Sequence, residues 1–303
     1  NRINTPENAE AILAAGQADM ISMARPLLAD PDFGLKAREG RAHEINTCIA
    51  CNQACLDQIF QNKTASCLVN PRACQNAHAK PQTPSYTKVS ADKSNALAVI
   101  GAGPAGLSCA TELAMRGFKV HLFEAAGEIG GQFNMAMRVP GKEEYAETLR
   151  YFENLLKKTG VILHLNTRAE ADFLLRKNFR EVVLATGVRP RVPDLRGIGH
   201  SGVLSYIDVL YHRKPVGKKV AIIGAGGIGF DVATYLTTPE NTGDPIAAYR
   251  REWGIDPEYR QRGGLAEPQP EAAPREVWLL QRSKAKFGAS PGKTTGSAHR
   301  LTL

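Results

Sequence analysis

The chain has 303 residues, of which 43% are hydrophobic, and a formal net charge of +8. It is long enough for two or more hydrophobic cores. Its Lys and Arg residues are scattered without a basic run, which argues against nucleic acid or a membrane surface as a partner. Anionic small molecules and a solvated basic surface account for the charge equally well. No apolar run could span a bilayer and no signal-peptide pattern is visible, so we expect a cytoplasmic protein.

The N-terminal stretch alternates between helix and strand. Thr5 is predicted to cap a helix over 5–16, with Pro6 in the first helical position. A short buried strand is predicted at 19–23, and Asp30 with the following proline starts another helix. This alternation is typical of a piece of an α/β structure that is too short to fold alone.

A cysteine-rich segment, 44–75, contains five of the six cysteines. Cys48, Cys51, Cys55 and Cys67 follow the spacing C-x2-C-x3-C-x11-C. Four thiolates suit either a structural zinc ion or a [4Fe–4S] cluster. Zinc usually takes two C-x2-C pairs and only one is present, so the spacing favours the cluster over zinc and over buried cysteines without metal. Such crowding also predicts a reducing compartment, whereas Cys109 is expected to be a small core residue.

Residues 76–95 have no hydrophobic periodicity and are predicted to be a linker. Two α/β units follow, one from Ala96 and one from near Lys218. Each opens with an apolar strand, a glycine-rich turn and a helix, which indicates a duplicated nucleotide-binding unit. Residues 238–274 hold six prolines and four glycines and interrupt the second unit as a long insertion.

The first unit has the pattern of an FAD-binding fold. The strand 97–100 leads into Gly101-Ala102-Gly103-Pro104-Ala105-Gly106, where the glycines allow a tight turn, close approach to a pyrophosphate and packing of the helix on the strand. A second strand, 119–123, ends on Glu124, at the distance where an acid binds ribose hydroxyls. Two more motifs stand where two-domain flavoproteins carry them: Gly130-Gly131-Gln132 and Leu184-Ala185-Thr186-Gly187.

The second unit repeats the pattern with the loop Gly224-Ala225-Gly226-Gly227-Ile228-Gly229. Its next strand, 276–280, follows the insertion and is succeeded by Arg282 and Ser283, with no acid at its end. A basic strand end suits the 2′-phosphate of NADPH, whereas an NAD site would present Asp or Glu. A solvated Arg/Lys cluster on a surface turn is the alternative.

These features together resemble the 2,4-dienoyl-CoA reductase branch of the flavin oxidoreductases that join an old-yellow-enzyme barrel to an FAD/NAD(P) module. The likeness runs over essentially the whole chain. It is carried by Ile45-Asn46-Thr47-Cys48, Cys51-Asn52-Gln53-Ala54-Cys55, Cys67-Leu68-Val69-Asn70-Pro71-Arg72, Gly130-Gly131-Gln132-Phe133-Asn134, Glu252-Trp253-Gly254 and Gly292-Lys293-Thr294-Thr295-Gly296.

The resemblance implies an α/β architecture with five parts. These are the end of a (β/α)8 barrel (1–43), a [4Fe–4S] segment (44–75), a linker (76–95), an FAD-binding domain (96–213) and an inserted, truncated NADPH-binding domain (214–303). It also implies roles for single residues. Those implied to bind cofactors are Arg2, Ala24 and Arg25 for the FMN phosphate, the four cysteines for the cluster, Gly103, Glu124, Gln132, Lys142 and Ala169 for FAD, and Arg282 and Ser283 for NADP.

The implied activity is NADPH-dependent reduction of 2,4-dienoyl-CoA in fatty acid β-oxidation, with electrons passing from NADPH through FAD and the cluster to FMN. An NAD(P)H:flavin oxidoreductase acting on another enone or amine is the first alternative. An electron-transfer subunit like the small subunit of glutamate synthase is the second. A non-enzymatic zinc module beside a nucleotide-sensing domain belongs to a different class.

Two departures from the family pattern stand out. The family's substrate-handling tyrosine and histidine would precede residue 1, so the sequence presents no catalytic residue. Ser297 stands where a bulky aromatic side chain is expected. Because the chain opens on Asn1 and ends inside the NADPH unit, we expect a fragment, inactive by itself on the acyl-CoA substrate and plausibly monomeric.

Overall fold

The computed structural model describes residues 2–75, 96–239, 243–288 and 292–302. The chain divides into two compact units, the first formed by 1–203 with 292–295 and the second by 204–291 with 296–303. The predicted linker 76–95 lies outside the described residues, and the other predicted domain boundaries stay predictions. Within the described part of the chain, no helix is long and apolar enough to cross a membrane.

Unit 1 begins with short helices and continues into an α/β fold. Its elements in chain order are α1 (Pro6–Ala14), α2 (Arg25–Ala29), α3 (Phe33–Arg38), a 3-10 helix (Ala42–Glu44), α4 (Leu56–Ile59), β1 (Leu97–Ile100), α5 (Pro104–Met115), β2 (Val120–Phe123), α6 (Phe133–Ala136), α7 (Tyr145–Thr159), β3 (Ile162–His164), α8 (Ala171–Lys177) and β4 (Glu181–Leu184). The cap predicted for α1 is confirmed, since the Thr5 side chain accepts a hydrogen bond from the Asn8 N–H at 3.3 Å.

The four strands of unit 1 form a parallel sheet in the order β3-β2-β1-β4. This is the order of the doubly wound dinucleotide-binding fold, in which ligands bind beyond the carboxyl ends of the strands. Alternate residues of β1 contribute to the two faces of the sheet. Val99 packs with Leu107 and Leu122 in one buried cluster, whereas Ala98 packs with Phe123 in another.

Unit 2 contains a smaller sheet. Its elements are α9 (Tyr206–Leu210), β5 (Lys219–Ile223), α10 (Gly227–Thr237), α11 (Pro245–Trp253), a 3-10 turn (Arg262–Gly264) and β6 (Glu276–Leu280). β5 and β6 pair in parallel over their full lengths. A last helix, α12 (Lys293–Thr302), has its first residues in unit 1 and the rest in unit 2.

Two predictions for the N-terminal stretch differ from the structure. Residues 19–23 form no strand, and Met20 is 79% exposed where a buried strand was predicted. A strand needs a neighbour for its backbone hydrogen bonds, and no described strand pairs with this segment. The helix predicted to start at Asp30 begins instead at Phe33, because the Asp30 carboxylate accepts the Asp32 N–H at 3.0 Å in a turn that precedes it.

Candidate functional site

The four predicted cluster cysteines converge on one pocket in unit 1. Cys48, Cys51, Cys55 and Cys67 all line this pocket. The rest of its wall is mostly apolar. The other lining residues are Arg25, Leu28, Ile49, Asn52, Ala54, Leu68 and Val69.

Local backbone geometry brings the cysteines together. Ala50 and Asn52 adopt left-handed φ angles of +53° and +58°, which turn the chain sharply on both sides of Cys51. Such a φ is strained for alanine and is tolerated by asparagine. The Ser66 N–H donates to the Ala54 carbonyl at 2.7 Å, and this bond carries the distant fourth cysteine back to the first three.

The cysteine sulfurs influence one another electrostatically. Burial raises the pKa of the Cys51 thiol, and the neighbouring Cys67, Cys55 and Cys48 raise it further. Burial likewise raises the pKa of Cys67, with contributions from Cys48 and Cys55. Among the described residues, no group of three or more His, Cys, Asp or Glu side chains is arranged to hold a metal ion.

Arg25 reaches the same pocket from the start of α2. Its Nη1 donates to Asn52 Oδ1 at 2.7 Å, a contact that sequence reasoning did not foresee. Arg2, the other arginine predicted to bind the FMN phosphate, forms an ion pair with Glu144. Ala24, the third of these residues, is the N-terminal cap of α2 and offers no side-chain hydrogen bond.

Arg150 on α7 fixes the segment that leads into the first cysteine, and sequence reasoning missed it. Its guanidinium donates to the carbonyls of His43 and Ile45, the latter at 2.7 Å. It also donates to Thr47 Oγ1 at 3.1 Å and to Glu147 Oε2 at 2.7 Å. One side chain therefore joins the dinucleotide-binding fold to the cysteine segment, and no local sequence pattern indicates such a contact across about a hundred residues.

The first glycine loop lies at the carboxyl end of β1, as predicted. Gly101 has a φ of +103°, and a Cβ there would lie 2.4 Å from the Ala185 carbonyl oxygen. A Cβ on Gly106 would lie 1.8 Å from the Gly101 carbonyl oxygen. Gly103 caps α5 and has open space where a Cβ would stand. Ala102 is fully buried, and Pro104 and Ala105 begin α5, whose N-terminus favours an anion.

Glu124 stands beside this loop, as its predicted role requires. Its carboxylate accepts the Ala102 N–H at 2.7 Å and the Ala126 N–H at 2.8 Å. The Gly130 N–H donates to the Ala102 carbonyl at 2.8 Å, and a Cβ on Gly131 would lie 3.2 Å from the Gly103 Cα. The loop, the acid and the Gly130-Gly131-Gln132 motif are thus gathered at one edge of the sheet.

Two further residues predicted to contact FAD are less directly placed. Ala169 packs against the cluster of Ala98, Ile100 and Phe123 on one face of the sheet. The Lys142 N–H donates to the Val139 carbonyl at 2.9 Å, in the turn before α7. The predicted FAD roles of Gln132, Lys142 and Ala169 stay predictions.

The second glycine loop repeats this geometry in unit 2. Gly224 has a φ of +118°, and its N–H donates to the Leu280 carbonyl at 2.8 Å. Gly226 caps α10, and a Cβ on Gly229 would lie 1.9 Å from the Gly224 carbonyl oxygen. Gly229 is therefore needed where α10 packs closely on the loop, and Gly224 is needed where the backbone adopts a positive φ.

Arg282 and Ser283 follow β6 directly. Because β5 and β6 are parallel, their carboxyl ends lie at the same edge of the sheet as the glycine loop. The Ser283 hydroxyl accepts the Ala285 N–H at 3.0 Å, which shapes the turn, and Arg282 is exposed. A positive side chain thus stands at the same edge of the sheet as the glycine loop, and the NADP roles of Arg282 and Ser283 stay predictions.

Comparisons with known proteins find similarity to two families of flavin enzymes. Residues 95–244 match the family described as pyridine nucleotide-disulphide oxidoreductase, and residues 1–44 match the NADH:flavin oxidoreductase / NADH oxidase family. A metal reductase of Desulforamulus reducens is 39% identical over 78% of this chain and 35% of its own length. A cinnamate reductase of Clostridium sporogenes is 34% identical over 78% of this chain and 34% of its own length.

A solved structure of 2-naphthoyl-CoA reductase in complex with 2-naphthoyl-CoA superposes with a TM-score of 0.80 at 31% identity. The superposition covers 99% of this chain and 40% of that one. The chain spans about a third of the length of the curated relatives it matches. The family-level similarity is therefore to the pyridine nucleotide-disulphide oxidoreductases over 95–244 and to the NADH:flavin oxidoreductase / NADH oxidase family over 1–44.

Proposed function

We propose that the protein is an NADPH-linked oxidoreductase that uses FAD, a [4Fe–4S] cluster and FMN to reduce a carbon–carbon double bond conjugated to an acyl-CoA carbonyl. The observation that carries the proposal is the convergence of four cysteines on one pocket, in the same unit as an FAD-type glycine loop. A two-electron donor and a one-electron centre need a carrier between them that accepts both modes, and the glycine loop and Glu124 of this unit would hold a flavin in that role.

The cysteine pocket suits a four-iron cluster better than a single metal ion. Structural zinc sites usually draw their sulfurs from two C-x2-C pairs, whereas this chain has one such pair, a third cysteine close by and a distant fourth. A cluster instead distributes its four thiolates over different iron atoms, so the sulfurs surround a wider pocket. The apolar wall would also protect the cluster from water.

The two glycine loops would hold the two dinucleotides. In unit 1 the open space at Gly103 leaves room for the pyrophosphate, and Glu124 would accept hydrogen bonds from ribose hydroxyls. In unit 2 the N-terminus of α10 would face the NADPH pyrophosphate, and Arg282 with Ser283 would bind the 2′-phosphate. When bound, FAD would accept a hydride and release electrons one at a time.

Residues 1–44 match an FMN-associated family, and we propose that Arg2, Ala24 and Arg25 bind the FMN phosphate. Arg25 offers five N–H donors, so its bond to Asn52 leaves capacity for a phosphate oxygen. Arg2 forms an ion pair with Glu144, and this ion pair is weak because the Arg2 side chain is 53% exposed. Arg2 would therefore release Glu144 and bind the phosphate instead.

The proposed substrate class rests on the relatives. Cinnamate and 2-naphthoyl-CoA, which two of the relatives are named for reducing, both carry unsaturation conjugated to an acyl carbonyl. A 2,4-dienoyl-CoA has the same feature and the CoA phosphates to which a basic protein is suited. Another enone or an amine is the alternative substrate.

The cofactor part of the proposal is tested by anaerobic purification followed by iron, zinc and acid-labile sulfide analysis and a visible spectrum. About four irons and four sulfides per chain are expected, because a [4Fe–4S] cluster has that composition. One zinc ion without sulfide would contradict the proposal and support the zinc-module alternative.

The substrate part is tested in the longer protein that the fragment expectation implies, because the chain spans about a third of its relatives' length. NADPH oxidation is followed with a 2,4-dienoyl-CoA and with cinnamate, and reduction of an electron-acceptor dye is followed in parallel with dimethylamine. Oxidation is expected to be fastest with the dienoyl-CoA. Preference for free cinnamate would move the assignment to another enoate. Turnover of the amine without any response to the CoA ester would remove the proposed substrate class.

A further inference from the structure

A single positive charge is fixed in the wall of the cysteine pocket. Arg25 lines the pocket together with Cys48, Cys51, Cys55 and Cys67. Its Nη1 donates at 2.7 Å to Asn52 Oδ1, and Asn52 stands between the second and third cysteines. The guanidinium is half-buried and held by a side chain from the cysteine segment itself.

No opposite charge faces Arg25 from the pocket wall. Of the described side chains that line the pocket, Arg25 alone carries a formal charge, and Leu28, Ile49, Leu68 and Val69 make much of the remaining surface. Charges interact more strongly across such apolar surroundings than across water.

Asn52 has two separate functions in this arrangement. Its φ of +58° is required by the turn after Cys51, and asparagine tolerates that conformation. Its side-chain oxygen fixes the guanidinium. Glycine at this position would keep the backbone conformation and remove only the acceptor, so the two functions can be separated by substitution.

We propose that Arg25 sets the reduction potential of the centre held by the four cysteines. The inference rests on the cluster in the proposed function. One-electron reduction of the cluster by reduced flavin adds one negative charge to the pocket and moves no proton. A fixed positive charge in the wall stabilises that added electron and therefore raises the potential.

Because Arg25 is also a proposed ligand of the FMN phosphate, the test is an anaerobic redox titration of the cluster-loaded protein without FMN, followed by electron paramagnetic resonance (EPR). Arg25→Met is expected to lower the reduced-to-oxidised ratio of the cluster about tenfold at a fixed potential, equivalent to about 59 mV for one electron. Arg25→Lys should shift the ratio less because the charge is kept. Asn52→Gly should give an intermediate shift, since the guanidinium loses its anchor. Arg38→Met, which removes an exposed arginine of α3, is the matched control and should not shift the ratio.

The result that overturns the inference is a wild-type potential in Arg25→Met with full iron and sulfide content. If Arg25→Met fails to hold the cluster, unchanged potentials in both Arg25→Lys and Asn52→Gly overturn it instead. A wild-type protein without iron and sulfide would remove the cluster proposal itself, and this inference with it. That outcome is distinguished by chemical analysis before any titration.

Discussion

At the scale of single residues, the proposed function depends most on the four cysteines that line one pocket. Cys51 is the second of them, and its neighbours Cys48, Cys55 and Cys67 raise its thiol pKa together with burial. Thiols with raised pKa values stay protonated until a metal displaces the proton. Catalytic cysteines instead have thiol pKa values lowered by nearby positive charge, so the raised pKa of Cys51 suits a metal ligand better than a nucleophile.

Cys51→Ser is predicted to abolish the cluster, because one iron would lose its thiolate ligand. Iron and sulfide analysis and the visible spectrum measure the loss. Cys109→Ser is the matched control, since Cys109 packs beside the buried core of unit 1 and lies outside the pocket lining. Cluster content that survives Cys51→Ser would contradict the assignment of the ligands.

Arg282→Glu is predicted to weaken NADPH binding far more than NADH binding, since only NADPH carries the 2′-phosphate. Loss of a charge-assisted contact should cost about 1.5–3 kcal/mol. Dissociation constants for both nucleotides measure the difference. The control is Lys218→Glu, which makes the same charge reversal at an exposed site before β5. Because this site lies at the opposite end of the parallel strands, the variant should change the binding of both nucleotides alike. Equal losses in Arg282→Glu would show that the side chain does not meet the phosphate.

At the scale of elements, the glycine loop and the helix after it depend on two glycines for different reasons. Gly106→Ala would place a Cβ 1.8 Å from the Gly101 carbonyl oxygen. The loop and α5 would have to separate, and we predict a loss of about 3 kcal/mol in the free energy of unfolding. Denaturant unfolding of the protein measures this loss.

Gly103→Ala is the companion variant, because its φ is −75° and no heavy atom lies within 4 Å of the added Cβ. It should unfold like the wild type but bind FAD more weakly, since the methyl group fills the space proposed for the pyrophosphate. Wild-type stability in Gly106→Ala, or undiminished FAD affinity in Gly103→Ala, would contradict this account of the loop.

The parallel pairing of β2 with β3 contains a histidine pair. His121 Nδ1 and His164 Nε2 lie 2.9 Å apart, and His164 stacks on Phe123. Burial lowers the pKa of both histidines, and His164 and the nearby lysines lower that of His121 further. As the pH falls, the unfolded chain therefore takes up protons before the folded chain does. The two neutral histidines stabilise the folded state above the ordinary histidine pKa of about 6.5, and this stabilisation is lost as the pH falls below that value.

His164→Phe is predicted to reduce this acid sensitivity while keeping the stacked ring. The measurement is the melting temperature at pH 7.5 and at pH 5.5 for the wild type and the variant. The melting temperature of the wild type should fall more between pH 7.5 and pH 5.5 than that of the variant. An equal loss in both proteins would show that other groups govern the acid response.

At the scale of the whole molecule, the sequence was enough to predict the elements whose signals are local. Strands β1 and β6 lie where they were predicted, because each is a short apolar run bounded by turn residues, and the two glycine loops follow from their spacing. The strand predicted at 19–23 is absent, because strand formation depends on a neighbouring strand that no local sequence pattern identifies. The contacts of Arg25 with Asn52 and of Arg150 with His43, Ile45 and Thr47 were missed because they join positions far apart in sequence.

The central claim is that electrons from NADPH reach a cluster held by Cys48, Cys51, Cys55 and Cys67. An anaerobic NADPH titration of the cluster- and flavin-loaded protein, followed by EPR, tests it most directly. The account predicts that NADPH bleaches the flavin and then produces the signal of a reduced [4Fe–4S] cluster, up to one spin per chain. Flavin bleaching with no cluster signal, in a protein whose cluster dithionite does reduce, would contradict it.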